Sequence, residues 1–136
     1  VYYGDEMARD LIIENAVGDA TLRSFMNWNE TPYKQDILIH WQKLGQFRNN
    51  HPAVGAGKHH VLSEYPYVFS RTYSKNKYHD AVVICFTEEE TTIDVSTVFK
   101  DGDIVNDFYS GLSAKVENGA VKFKPDTNII LLEKNE

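Results

Sequence analysis

The chain has a single cysteine among its 136 residues, Cys85, so it forms no internal disulfide and offers no multi-cysteine metal site. Basic residues are also in deficit. Fourteen Lys and Arg against twenty Asp and Glu leave a net charge of −6, the wrong sign for binding a phosphate backbone. No apolar run approaches the ~20 residues that span a bilayer. There is no internal repeat and no low-complexity tract. Cys85 itself sits in the unbroken apolar run Ala81–Phe86. That setting favours a buried small hydrophobe over a reactive thiol.

Aromatic residues are plentiful: seven Phe, eight Tyr and two Trp. They suit β-strands, and they also provide flat surfaces for stacking on sugars. The opening Val1-Tyr2-Tyr3 reads as a strand interior to a larger protein, running into a Gly4-Asp5-Glu6 turn. Asp5 and Glu6 either brace that turn or face a substrate. The segment from Ala8 to Glu30 is loop-like, with a short helical turn expected around Asp10 to Asn15.

One helix stands out. Thr31 is suited to cap it and Pro32 to its first position. Ile37, Trp41, Leu44 and Arg48 share a face that Leu38 and Phe47 widen, and Trp41 is expected in a core. Asn49-Asn50 and then His51-Pro52 end it, because the residue before proline avoids helical geometry. The surface that receives this face lies either in the residues that follow or outside them.

After Pro52 the pattern changes to short alternating runs. Strands are expected at His59–Ser63, Val68–Tyr73, Ala81–Phe86, Thr91–Ser96, Leu112–Val116, Ala120–Phe123 and Asn128–Leu132. Asn118-Gly119 is a strong signal for a two-residue hairpin turn, and Asp101-Gly102 marks another turn. The run Ala81–Phe86 does not alternate, so it is expected to be central and covered on both faces. Seven short strands predict an antiparallel sandwich or a Greek-key barrel.

Several residues invite a functional reading and have a plainer one. Tyr65, Tyr67, Tyr73 and Tyr78 form either a stacking platform or ordinary cross-strand packing. His59-His60 resembles a metal pair, but neighbouring strand residues point to opposite faces and cannot chelate one ion. Glu88-Glu89-Glu90 reads as a solvated turn. Trp28 is a candidate for stacking on a sugar face.

The order of these motifs resembles the α-amylase family, glycoside hydrolase family 13. Val1-Tyr2-Tyr3-Gly4-Asp5-Glu6 is similar to its eighth barrel strand. Gly18-Asp19 to Arg23, then Phe25-Met26-Asn27-Trp28, resembles the loop that follows. His40–Ala53, with its Leu…Arg…His-Pro-Ala ending, resembles the last barrel helix. Val83–Phe86 and Val105–Gly111 resemble the family's C-terminal β-domain.

The resemblance implies a mainly β fold: an antiparallel Greek-key β-sandwich at 53–136, preceded at 1–52 by a strand, loop and helix of a (β/α)8 barrel. It implies a parent that hydrolyses starch or maltooligosaccharides with retention, through two aspartates and a glutamate on the fourth, fifth and seventh strands. Those strands lie before Val1, so no catalytic residue is expected here. The β-domain is then expected to be structural, with a starch-binding module as the alternative. Asp19 and Arg23 resemble a pair that contacts a glucose unit a few subsites from the cleavage point, with an internal salt bridge as the plainer reading; Ala20 stands where the family usually has proline. Substrate binding is therefore assigned to Asp19, Arg23 and Trp28, for the parent enzyme. No metal or cofactor is expected in this chain, with calcium allowed in the parent. The expected partners are the rest of the barrel and an α-glucan. Nucleic acid and a membrane span are not expected. A secreted, periplasmic or cell-surface parent is implied.

Overall fold

The computed structural model describes residues 3–9, 14–23, 25–26, 28, 35–125 and 127–134. The chain forms two compact units, Val1–Gly45 and Gln46–Glu136. Val1 and Tyr2 of the expected opening strand, the caps Thr31 and Pro32, and most of the helical turn placed at Asp10 to Asn15 lie outside the described residues.

In the first unit, Gly4 adopts φ 83°, a left-handed conformation that glycine takes without steric cost. It opens a 3₁₀ turn over Asp5–Met7. Arg9 reaches back to the Tyr3 carbonyl at 3.3 Å and lies 4.2 Å over the Tyr3 ring. A second 3₁₀ segment covers Gly18–Arg23, later than the turn expected from the sequence.

Helix α1 covers Gln35–Asn50 and crosses from the first unit into the second. Of its apolar stripe only Phe47 is buried; Ile37, Ile39 and Trp41 remain exposed. The expectation that Trp41 lies in a core is therefore corrected: its surface is 36% exposed among the described residues. Asn50 ends the helix as expected. Pro52, however, does more than stop it. His51 turns extended (φ −119°, ψ 96°), and Pro52 then opens a five-residue helix, α2 (Pro52–Ala56), from the first-turn position that suits proline.

The rest of the second unit is antiparallel β-structure. The strands are β1 (Lys58–Glu64), β2 (Tyr67–Lys75), β3 (Tyr78–Phe86), β4 (Thr91–Asp94), β5 (Ile104–Asp107), β6 (Ser113–Lys115), β7 (Ala120–Phe123) and β8 (Ile129–Lys134). Six form one sheet in the order β1-β2-β3-β8-β5-β6, and β4 pairs with β7 in a second. β8 returns over a long connection to lie between β3 and β5, as Greek-key connectivity requires. The fold is thus mainly β and sandwich-like, as the sequence implied. β5 was not foreseen.

The core lies between the two sheets. Val68, Val83, Cys85, Val105, Ile130 and Leu132 face it from the large sheet, and Ile93, Val121 and Phe123 from the small one. Alternation then puts Val82, Ile84, Ile129 and Leu131 on the opposite face, where they are also buried. β3 is therefore covered on both sides, which explains its unbroken apolar run. Asn118 (φ 54°) and Gly119 (φ 74°) make the expected two-residue turn, closed by paired Glu117–Ala120 backbone bonds. No described helix is long and apolar enough to cross a membrane.

Candidate functional site

The three residues assigned to substrate binding all lie in the first unit. Asp19 and Arg23 occupy the Gly18–Arg23 segment, and both are exposed. A 3₁₀ helix has three residues per turn, so positions four apart lie about a third of a turn from each other. The pair is therefore not stacked as it would be on an α-helix. No ion pair joins Asp19 to Arg23 among the described residues. Trp28 is 83% exposed, and Phe25 is 97% exposed. All three assigned residues are solvent-facing groups.

The second unit contains a group that sequence reasoning took only for a helix end. His51 Nδ1 stands 2.9 Å from Asp80 Oδ1 on β3, and its Nε2 stands 2.7 Å from Glu133 Oε2 on β8. Asp80 Oδ2 accepts the backbone N–H of Ala53 at 2.8 Å. His51 makes no side-chain cap to α2. Asp80, from a strand far away in sequence, supplies the acceptor that an N-cap side chain normally gives. Arg71 on β2 donates to the Ala53 carbonyl at 3.2 Å. The break between α1 and α2 is thus tied to β2, β3 and β8. Phe47 completes the junction, with its ring 4.7 Å from that of His51 and 5.5 Å from that of Phe108.

A cleft of about 500 Å³ opens beside this group, lined by His51, His79, Asp80, Lys100, Asp103 and Lys134 among others. Its charges are largely matched. Lys134 pairs with Asp103 at 2.8 Å, and its hydrogen bond holds the Asp103 carboxyl below the ordinary carboxylate value. His79 bonds Ser74 at 2.8 Å. Retaining glycoside hydrolysis needs two carboxyls facing each other across a bound sugar. Here a single imidazole ring fills the space between Asp80 and Glu133. The geometry is that of a clamp.

Asp107 is a second group that sequence reasoning missed, a carboxylate 1% exposed. It accepts from the backbone N–H of Leu131 at 2.8 Å, from those of Tyr109 and Ser110, and from the Ser110 hydroxyl. Burial, then the Asp107 charge, pushes the Tyr109 phenol up. Burial likewise pushes the Cys85 thiol from 9.0 to about 11, in keeping with a structural role.

The four tyrosines do not form one platform. Tyr73 and Tyr78 meet edge to face at 6.3 Å near the β2–β3 turn. Tyr67 lies at the other end of that hairpin, beside Phe86. A cleft of about 480 Å³ opens there, lined by Glu64, Tyr65, Tyr67, Phe86 and residues of the 87–91 stretch, including Glu88-Glu89-Glu90. His59 packs on Phe69 at 4.7 Å, and no group of three His, Cys, Asp or Glu able to hold a metal ion occurs among the described residues.

Comparison with known proteins gives these residues a context. No family model matches the chain. The periplasmic α-amylase of Escherichia coli (strain K12) is 38% identical over 79 residues, which are 57% of this chain and 12% of that protein. The crystal structure of an Anoxybacillus α-amylase superposes with a TM-score of 0.67 at 20% identity, over 98% of this chain and 28% of the other. The α-amylase of Geobacillus thermoleovorans, solved with acarbose, superposes with a TM-score of 0.67 at 18% identity, over 98% and 29%. The chain therefore spans well under a third of the solved proteins it superposes on, and at these identities they speak for the fold alone.

Proposed function

We propose that this chain is a segment of an α-amylase-family protein, the carboxy-terminal part of a retaining glycoside hydrolase acting on starch or maltooligosaccharides. Its own role is structural: residues 53–136 are a β-domain that holds the end of the last barrel helix. The observation that carries this reading is the similarity to α-amylases, by sequence over 57% of the chain and by fold over 98%. The His51 clamp gives it a physical basis, because it fixes the last turn of α1 onto a buried sheet. The cleaving carboxylates belong to the part of the parent that precedes residue 1, as does any calcium. In that parent we assign Asp19 and Arg23 to paired hydrogen bonds with sugar hydroxyls, and Trp28 to stacking on a sugar ring. The periplasmic relative supports an exported parent.

The experiment compares the 136-residue chain with a longer protein that carries it behind an intact barrel. Reducing ends released from soluble starch are the readout. The longer protein is expected to cleave starch with retention at the anomeric carbon, and the 136-residue chain to release nothing. Turnover by the chain alone would overturn the assignment of a non-catalytic role.

A further inference from the structure

The cleft at the Tyr65 end of the sheet has a chemistry that the structural role does not use. Tyr67 and Phe86 are direct cross-strand neighbours on β2 and β3. Their rings lie 6.4 Å apart and within 11° of parallel, and both side chains remain exposed. Tyr65, in the β1–β2 turn, is 97% exposed and caps the same cleft. Isolated surface aromatics are ordinary, but three around one concavity are not.

The rim is acidic. Glu64, Glu88, Glu89 and Glu90 all line it. Glu90 pairs with Lys122 at 2.6 Å. Glu64, Glu88 and Glu89 have no ion pair among the described residues. Such a rim repels phosphate and nucleic acid. It also lacks the convergence that a cation needs, since no three of its carboxylates form a ligand set among the described residues. What remains is an uncharged ligand with an apolar face and many hydroxyl donors. A pyranose chain has both: its C–H face packs on aromatic rings, and its hydroxyls donate to carboxylates in charge-assisted hydrogen bonds.

We propose that this cleft is a surface site for an α-glucan chain, with Tyr65, Tyr67 and Phe86 as the stacking face and Glu64, Glu88 and Glu89 as hydroxyl acceptors. The choice of α-glucan rests on the function proposed above; the choice of a saccharide rests on the cleft. The site is built wholly within the second unit and needs no barrel.

Titration of the 136-residue chain with maltoheptaose, followed by amide chemical shifts, tests it. Saturable shifts are expected around Tyr65, Tyr67 and Phe86, with millimolar affinity. Tyr65→Ala removes a side chain that packs on nothing and should weaken binding about tenfold. Tyr78→Ala, at the far end of the hairpin, should leave it unchanged. Because the ligand is neutral, affinity should hold between about 0.1 and about 1 M salt. Absence of saturable shifts, or equal binding by the Tyr65→Ala variant, overturns the site. Binding of a Lys-rich peptide that salt abolishes, with none of maltoheptaose, identifies a basic protein partner and overturns it as well. Saturable binding of a β-linked glucan but not maltoheptaose keeps the cleft as a saccharide site and overturns the α-glucan assignment. If the longer protein cleaves starch while this chain binds no sugar, the surface site fails and the proposed function stands.

Discussion

His51 Nε2 lies 2.7 Å from Glu133 Oε2, 82 residues further along the chain, while its Nδ1 lies 2.9 Å from Asp80. Each ring nitrogen thus faces a carboxyl oxygen from a different strand. Removing the ring leaves both carboxylates largely buried without that partner. His51→Ala is expected to destabilise the second unit by about 2–3 kcal/mol, because charged partners are left unmatched. The urea midpoint should fall with little change in slope. His51→Gln, which can donate only from one end, should recover part of the loss. A variant as stable as the parent would show that the clamp contributes nothing.

Asp107 holds the 107–111 turn and reaches across to the Leu131 amide on β8. In Asp107→Asn one acceptor becomes a donor, which then faces another donor. A cost of about 1–3 kcal/mol follows from the mismatched buried group. Hydrogen exchange at the Leu131 amide should accelerate, and unchanged protection there would contradict the assignment.

Gly57 matters for space. A Cβ there would strike the Ala53 carbonyl oxygen and lie 2.7 Å from the Thr72 carbonyl oxygen, both backbone atoms with little freedom to move. Gly57→Ala should therefore cost about 1–3 kcal/mol, the range for forced overpacking. Thermal unfolding measures it. A midpoint equal to that of the parent would mean that the α2–β1 junction relaxes freely.

Cys85 predicts how stability responds to alkali. Its folded value, about 11, is above the ordinary 9.0, and that of Tyr109 is raised in the same direction. A raised group favours the protonated, folded form. Its contribution is complete below pH 9 and is lost as pH climbs toward 11, by about 2–3 kcal/mol for the thiol. Cys85→Ala should flatten that decline in part, leaving the share from Tyr109. Unfolding free energies measured from pH 8 to 11 decide it. The same burial predicts that thiol reagents label Cys85 only after unfolding.

In the proposed parent enzyme, Asp19→Ala is expected to raise KM for long maltooligosaccharides several-fold while the β-domain unfolds at an unchanged midpoint. Asp19 is exposed, so no packing is lost. An unchanged KM would remove it from the binding surface.

Much of the β-domain could be read from residue pattern. Ala120–Phe123 matches its strand end for end, and the Asn118-Gly119 turn and doubly covered β3 follow from local chemistry. β5 was illegible because its four residues end in Asn106-Asp107, a pair that strand preference disfavours. Asp107 lies there because the fold needs a buried acceptor, which periodicity does not reveal. His51 and Pro52 looked like a stop signal because a helix end and a helix–helix break share the same local code. Asp80 and Glu133 resolve the ambiguity, and they are distant in sequence. Trp41 shows the reverse failure: an apolar stripe indicates which face seeks cover without saying what supplies it.

β8 is the last in sequence of the eight strands among the described residues, yet it lies in the middle of the large sheet, with β3 on one side and β5 on the other. A polypeptide emerging from the ribosome can pair β1 with β2 and β3 early, but its sheet stays split until residue 134 is free. The apolar edges of β3 and β5 are unsatisfied throughout that interval, and an unpaired edge invites association with other chains. Synthesis of this segment therefore includes a window of exposure that closes only with its final strand, and losing residues 129–134 would leave that window permanently open.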